Sequence, residues 1–281
     1  MSGCGERIDA HQHFWQLSRG DYGWLTPELG PIYRDFMPAD LTPLLGRNKV
    51  AGTILVQAAP TVAETRFMLD LAEANNFIKG VVGWTDFDAE DAPDRIDELA
   101  RHPKLIGLRP MIQDIAQDDW LLSDHIVRAL DAMVDNELVF DALTLPRHLP
   151  HLRVLLERNP DLRVVIDHGS KPEIRNRMID PWKNEMDMIA RETSAWCKIS
   201  GLVTEAEPDW TIDDLRPYVD HLLAAFEPDR LIWGSDWPVC TLASSYDRWV
   251  DTCETLLDGL NADQKDKIWR RNALTAYGLD D

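Results

Sequence analysis

Arg7–Trp15 reads RIDAHQHFW. Ile8, Ala10 and Gln12 alternate with Asp9, His11 and His13, which is the period of a strand whose successive side chains point to opposite faces. His11 and His13 therefore project the same way. Two imidazoles at i and i+2 can converge on a metal ion or on a polarised carbonyl, although a His-x-His by itself is common on surfaces. The far end of the chain adds weight: Arg230–Val239 reads RLIWGSDWPV and sets Asp236 just after another apolar run. A carboxylate after the last strand and a histidine pair on the first become neighbours if the intervening sheet closes into a barrel.

Working outward from these ends, short apolar runs recur at Val50–Ala58, Ile78–Thr85, Leu105–Ile112, Leu138–Leu143, Arg163–Gly169, Ala195–Leu202 and Leu231–Gly234. Near-continuous apolar runs suit strands buried on both faces. Helical patterns separate them. Thr61 and Glu64 form a capping box ahead of Phe67, Leu71 and Ala72. Ser123 precedes Ile126, Leu130, Met133 and Val134 at helical spacing. Leu149, Leu152, Leu155 and Leu156 share a face, as do Leu215, Val219, Leu222, Leu223 and Phe226. Two helices, around Tyr246–Leu257 and Asp263–Tyr277, close the chain.

Strands alternating with helices predict a parallel sheet with right-handed crossovers. With 281 residues and no linker, the α/β pattern predicts one domain, a (β/α)8 TIM barrel, over an open sheet. No G-x-G-x-x-G or G-x-x-x-x-G-K run supports a nucleotide-binding alternative. Residues 16–48, carrying Pro27, Pro31, Pro38 and Pro43 among Tyr22, Trp24 and Tyr33, read as a long loop over the catalytic face.

A formal net charge of −20 argues against nucleic acid, whose phosphates need clustered Lys and Arg. No apolar run approaches the roughly 18 residues of a membrane span. The N-terminal MSGCGERID lacks the pattern of a secretory signal, and Cys4, Cys197, Cys240 and Cys253 lack a C-x-x-C spacing. These features predict free thiols and a cytoplasmic protein; the sequence sets no oligomeric state.

In such barrels the chemistry lies at the C-terminal ends of the strands. The pattern places His11 and His13 there from strand one, Arg109 from strand four, Asp141 from strand five, His168 from strand six and Asp236 from strand eight. Lys171 follows strand six, and Trp84, Thr204 and Trp237 sit near strand ends three, seven and eight. Arg109 could hold substrate or pair with Asp141. Trp24, Trp84 and Trp237 could present apolar faces to a ring or pack the rim. His102, His125, His148, His151 and His221 fall on helices or connections and are expected at the surface.

IDAHQHFW, IDHGSKP, KISGLVTEA and WGSDWP together resemble the amidohydrolase superfamily, and within it the sugar lactonases of the L-fuconolactonase and L-rhamnonolactonase type. The likeness runs from the first strand to the NALTAYGL tail. It implies a distorted (β/α)8 barrel that opens the cyclic ester of a sugar acid, with L-fucono-1,5-lactone or a related aldonolactone the expected substrate. It also implies a metal-ligand set of His11, His13, His168 and Asp236. Two departures matter. Two-metal members carry a carboxylated Lys or a Glu on strand four, where GLRP supplies Arg109. They carry a His on strand five, where LVFDAL supplies Asp141. The expectation is at most one divalent ion, zinc favoured, and optional because some members of this branch work without one. Lactone opening needs a base, positive charge near the carbonyl oxygen and a proton for the leaving oxygen. Asp236 is the candidate base, with His168 next. His11, His13, Trp24, Trp84, Arg109, Asp141, Lys171 and Trp237 are the candidates for binding substrate. A one-metal decarboxylase, a phosphotriesterase-like hydrolase and a sugar-acid binding protein without turnover are the competing readings.

Overall fold

A computed structural model of the chain describes residues 6–280. The strands are β1 (Arg7–Gln12), β2 (Val50–Val56), β3 (Ile78–Gly83), β4 (Leu105–Leu108), β5 (Val139–Ala142), β6 (Val164–Ile166), β7 (Trp196–Ile199) and β8 (Leu231–Trp233). They pair in sequence order as one eight-stranded parallel sheet. Helices α1 (Pro38–Arg47), α2 (Val62–Ala74), α3 (Ala92–Ala100), α4 (Val127–Asp135), α5 (Leu149–Arg158), α6 (Trp182–Glu192), α7 (Ile212–Phe226) and α8 (Tyr246–Leu256) follow or separate them. A last helical stretch joins α9 (Ala262–Asp266) to α10 (Asn272–Ala276) through a π-helical turn at Lys267–Arg271. The expected TIM barrel is the one found.

Side-chain alternation divides the core in two. Ile54 and Val56 of β2 join Ile8, Ala10, Val82, Val139 and Val165 inside the barrel, while Leu55 joins the larger cluster under the helices. Leu274 and Tyr277 belong to the inner cluster, so the C-terminal helix packs on the barrel interior.

The barrel closes through an irregular seam. No ladder joins β8 to β1; instead Gln12 and Trp237 form an isolated parallel bridge. Around it, His13 N donates to Trp237 O at 2.7 Å and Asp236 N to His11 O at 2.7 Å. Asp9 braces the seam, accepting from Ser235 N at 2.8 Å and from the Tyr246 hydroxyl at 3.0 Å. Closing the sheet is what sets Asp236 beside the histidine pair.

Several local expectations differ from what is found. The connection after β1 is not a loop throughout: it holds 3-10 turns at Leu17–Arg19 and Pro27–Ile32, and then α1. Pro38 sits at the first helical position, where a missing N–H costs nothing, and Asp40 accepts from Met37 N at 2.9 Å. Ser123 makes no side-chain cap, and a 3-10 turn (Asp124–Ile126) leads into α4. His148 and His221 are buried rather than on the surface. His148 Nδ1 accepts from Leu145 N at 3.0 Å, and His221 Nε2 lies 3.1 Å from Lys183 O beside the Trp182 ring. Cys197, Cys240 and Cys253 are buried free thiols; Cys4 lies outside the described residues. Among these residues no helix is long and apolar enough to cross a membrane.

Candidate active site

His13, directly after β1, is fixed at both ring nitrogens. Nδ1 lies 2.7 Å from Val56 O, which can only accept, so Nδ1 carries the proton. The other nitrogen, Nε2, lies 3.3 Å from Asp236 Oδ1. His11 is fully buried, and each of its nitrogens meets one carboxylate and one cation. Nδ1 is 3.3 Å from both Asp167 Oδ1 and Lys198 Nζ, while Nε2 is 3.8 Å from Asp236 Oδ1 and 3.3 Å from Arg109 Nη1.

Strand β6 stops at Ile166, and Asp167–Ser170 forms a tight 3-10 turn in place of the expected strand end. His168, Gly169, Ser170 and Lys171 all have positive φ, as does Asp236. Left-handed backbone costs a non-glycine residue about 1–2 kcal/mol, and such strain tends to gather at functional sites. Here it turns the His168 ring inward: Nδ1 lies 2.9 Å from Ser200 Oγ, and Nε2 is 4.0 Å from Asp236 Oδ1. The ring lies so close to Gly201 that a Cβ there would stand 2.5 Å from His168 Nδ1. Glycine is required at that position.

Arg109, at the end of β4, is buried and does not pair with Asp141. Its guanidinium donates to Asp167 Oδ2 at 3.1 Å and to Gln57 O. Asp141 lies one residue inside the end of β5, wholly buried, where it accepts from Lys198 Nζ at 2.6 Å and from the Tyr277 hydroxyl at 2.8 Å. It belongs to the barrel interior rather than the mouth. Lys198 also meets Asp167 at 2.9 Å.

Over these groups lies a cavity of about 210 Å³, with His13, His168, Asp236, Arg109, Lys171 and Trp24 among its walls. Lys171 sits 3.8 Å from Glu205, and the Trp24 indole donates to Ala58 O at 2.6 Å. Trp84 and Trp237 are elsewhere. Trp84 lines a separate cavity with Phe87 and Trp120, and Trp237 is buried edge-on against Phe14 and Phe36.

Burial holds the His11 imidazole well below its ordinary pKa and pushes His168 down to about 4, so both are neutral near pH 7. Burial alone would raise Asp236, but the imidazoles of His168, His13 and His11 outweigh it and keep the carboxylate ionised. Asp167 is likewise held low against its burial, by Lys198, His11 and Arg109. Burial lifts Asp141 to about 6 despite Lys198.

The donor set fits one divalent cation. Ligand atoms of His11, His13 and Asp236 all lie within 4.8 Å of one another; Asp236 Oδ1 is 3.3 Å from His13 Nε2 and 3.8 Å from His11 Nε2, against the roughly 3.3 Å edges of a tetrahedron of 2.0 Å bonds. With Nδ1 bonded to Val56 O, His13 leaves Nε2 facing the Asp236 carboxylate, where both could reach one ion. A second group, His11, Asp167 and His168, has the same closeness. Its carboxylate is already neutralised by Lys198 and Arg109.

Sequence reasoning passed over Asp167, Lys198, Gln57 and Ser200. Lys198 carried a usable signal: a lysine in the apolar run AWCKISGL must either reach solvent or find buried partners.

A profile described as amidohydrolase matches residues 8–279. An L-fucono-1,5-lactonase of Burkholderia ambifaria is 45% identical over 278 residues, covering 98% of this chain and 96% of that protein. An L-fucono-1,5-lactonase of Burkholderia multivorans is 36% identical, covering 97% and 96%. A crystal structure of an amidohydrolase from Burkholderia multivorans with bound zinc superposes with a TM-score of 0.92 at 35% identity, covering 98% of this chain and 100% of that one. The chain belongs to the amidohydrolase family.

Proposed function

We propose that the protein hydrolyses the lactone of a sugar acid, L-fucono-1,5-lactone first among candidates, to the open aldonic acid. The observation that carries this is the meeting of an ionised Asp236, neutral His168 and the Arg109 guanidinium on one cavity, in a chain 45% identical to an L-fucono-1,5-lactonase.

Lactone opening is acyl transfer to water. Asp236 orients the water and takes its proton as the oxygen bonds to the carbonyl carbon. Arg109 stays charged at any working pH and offers directional donors for the negative charge that develops on the carbonyl oxygen. When the ring C–O bond breaks, the proton held by Asp236 passes to the departing ring oxygen. His13, bonded to Val56 O, and His168, held by Ser200, fix where the carboxylate sits. Lys171 and Trp24 contact the hydroxyls and one face of the sugar. His11, His13 and Asp236, with His168 at the edge, would hold one ion, and we infer zinc; bound there, it would polarise the carbonyl and acidify water. Asp141, Trp84 and Trp237, outside the cavity, have no part in binding on this reading. The buried free thiols of Cys197, Cys240 and Cys253 support a reducing, cytoplasmic setting.

A pH-indicator assay over a panel of aldonolactones tests the reading, since each opening releases a proton. L-fucono-1,5-lactone should be turned over. If L-fucono-, L-galactono-, D-arabinono- and L-rhamnonolactones are all inert, the proposal fails.

A further inference from the structure

We propose that Glu64 is a positioning residue that sets three walls of the catalytic cavity at once, by clamping the chain just beyond β2. In Val56–Ala58, three consecutive carbonyls each hold one side chain of the site. Val56 O holds His13 Nδ1 at 2.7 Å, Gln57 O takes Arg109 Nη2, and Ala58 O accepts from Trp24 Nε1 at 2.6 Å. Gln57 Nε2 returns a bond to Arg109 O at 2.7 Å. Gln57 and Ala58 lie past the end of the strand, where Gln57 N still donates to Val82 O but Ala58 and Ala59 have left the ladder.

Glu64 restrains that free end. Its carboxylate is fully buried and accepts from Ala58 N at 3.1 Å through both oxygens and from Ala59 N at 2.6 Å. A capping-box glutamate ordinarily turns back to the N–H of its own cap residue. Here Thr61 caps Glu64 N at 3.0 Å, but Thr61 N is bonded to Ala59 O. The carboxylate therefore passes its cap and reaches the β2 end. Burying a carboxylate is costly unless it is well bonded, and a helix cap alone does not require it. The two N–H groups that donate to it belong to Ala58 and Ala59, next to the carbonyls that aim His13, Arg109 and Trp24. Small displacements of positioned groups cost up to about a hundredfold in rate.

The kinetic part of this inference rests on the lactonase reading; the positioning part does not. Above about pH 7, where Glu64 is ionised, Glu64→Gln keeps the shape and one acceptor but turns an NH2 toward an N–H donor, so the clamp is half lost. The Trp24 indole 1H–15N signal, assigned by its disappearance in Trp24→Phe, should shift in Glu64→Gln without substrate present. On the lactone the parent turns over, kcat/KM should fall about tenfold or more, through kcat as well as KM. Thr61→Val removes the cap but leaves the clamp, so it should lower Tm while leaving the indole signal and KM in place. A folded Glu64→Gln protein with an unmoved Trp24 signal overturns the proposal, as does a Thr61→Val protein that moves the signal equally. If Glu64→Gln does not fold, the parent still decides: an Ala59 amide that exchanges with solvent as fast as an open loop means there is no clamp. A shifted indole with every lactone inert would leave the positioning intact and sink only the lactonase reading.

Discussion

At the scale of single residues, Asp236 carries the heaviest assignment. Its carboxylate meets three imidazoles that hold it ionised against full burial, as the proposed general base requires near neutral pH. Asp236→Asn keeps the shape and removes the basic oxygen. General base catalysis contributes about 10²–10⁴-fold, so kcat should fall at least about a hundredfold, or roughly 3 kcal/mol of barrier. KM should change little, because Arg109, Lys171 and Trp24 remain. A folded variant that keeps more than about a tenth of parental kcat would refute the role and point to His168. Arg109→Met separates two jobs: a raised KM alone marks a binding group, whereas a fall in kcat as well marks oxyanion stabilisation. Lys198→Met tests the interior. It would strand Asp141 and Asp167, both fully buried, and breaking a buried ion pair from one side costs about 3–5 kcal/mol. Urea unfolding measures it; a loss below about 1 kcal/mol would mean the network is not held by this lysine.

At the scale of elements, α2 makes a pH-dependent contribution to stability. Burial raises Glu64 from 4.5 to about 7, against the Ala59 and Ala58 amides, the nearby Arg109 charge and the Tyr22 hydroxyl, all of which favour the ionised form. A raised folded-state value means that the folded protein holds the proton more tightly. Its contribution is fully present below about pH 4.5 and is lost as pH rises through about 7. The size is at most about 3 kcal/mol. Parental stability measured against Glu64→Gln should therefore decline from pH 5 to 8; a difference that is flat over that interval would contradict the assignment. Elements also explain which parts of the site could be read from sequence. His11 and His13 were legible because a period of two needs no tertiary information. Asp141 was not, because the mouth and the interior of a barrel differ by one or two residues at about 3.3 Å each, and strand ends read from sequence are no sharper than that. Strand six ran on to Gly169 in the apolar pattern, while the left-handed turn at His168 has no signature beyond Gly169 itself.

At the scale of the whole molecule, the alternation of strands and helices was enough to predict the barrel, since few topologies satisfy right-handed crossovers at this length. What the alternation does not contain is the seam. Closure rests on Gln12 and Trp237 and on backbone bonds at His11, His13 and Asp236, so the residues that shut the barrel are those that form the site. Behind them a line of buried charge runs from Tyr277, which follows α10, through Asp141, Lys198 and Asp167 to Arg109. On the proposed reading, this line limits how many ions the site can hold. A second ion near His11, Asp167 and His168 would have to displace Lys198 and Arg109 from Asp167, or share that carboxylate with two fixed positive charges. Both are unfavourable in a buried site, where like charges repel far more strongly than in water. Zinc titration of the chelated protein, followed by elemental analysis, should therefore reach no more than one equivalent per chain. Arg109 also leaves a permanent positive charge on the cavity when the ion is removed, so chelation should slow lactone opening and leave a measurable rate. Close to two equivalents would overturn the single site, and a rate abolished by chelation and restored by zinc would show that Arg109 alone does not supply the charge the reaction needs.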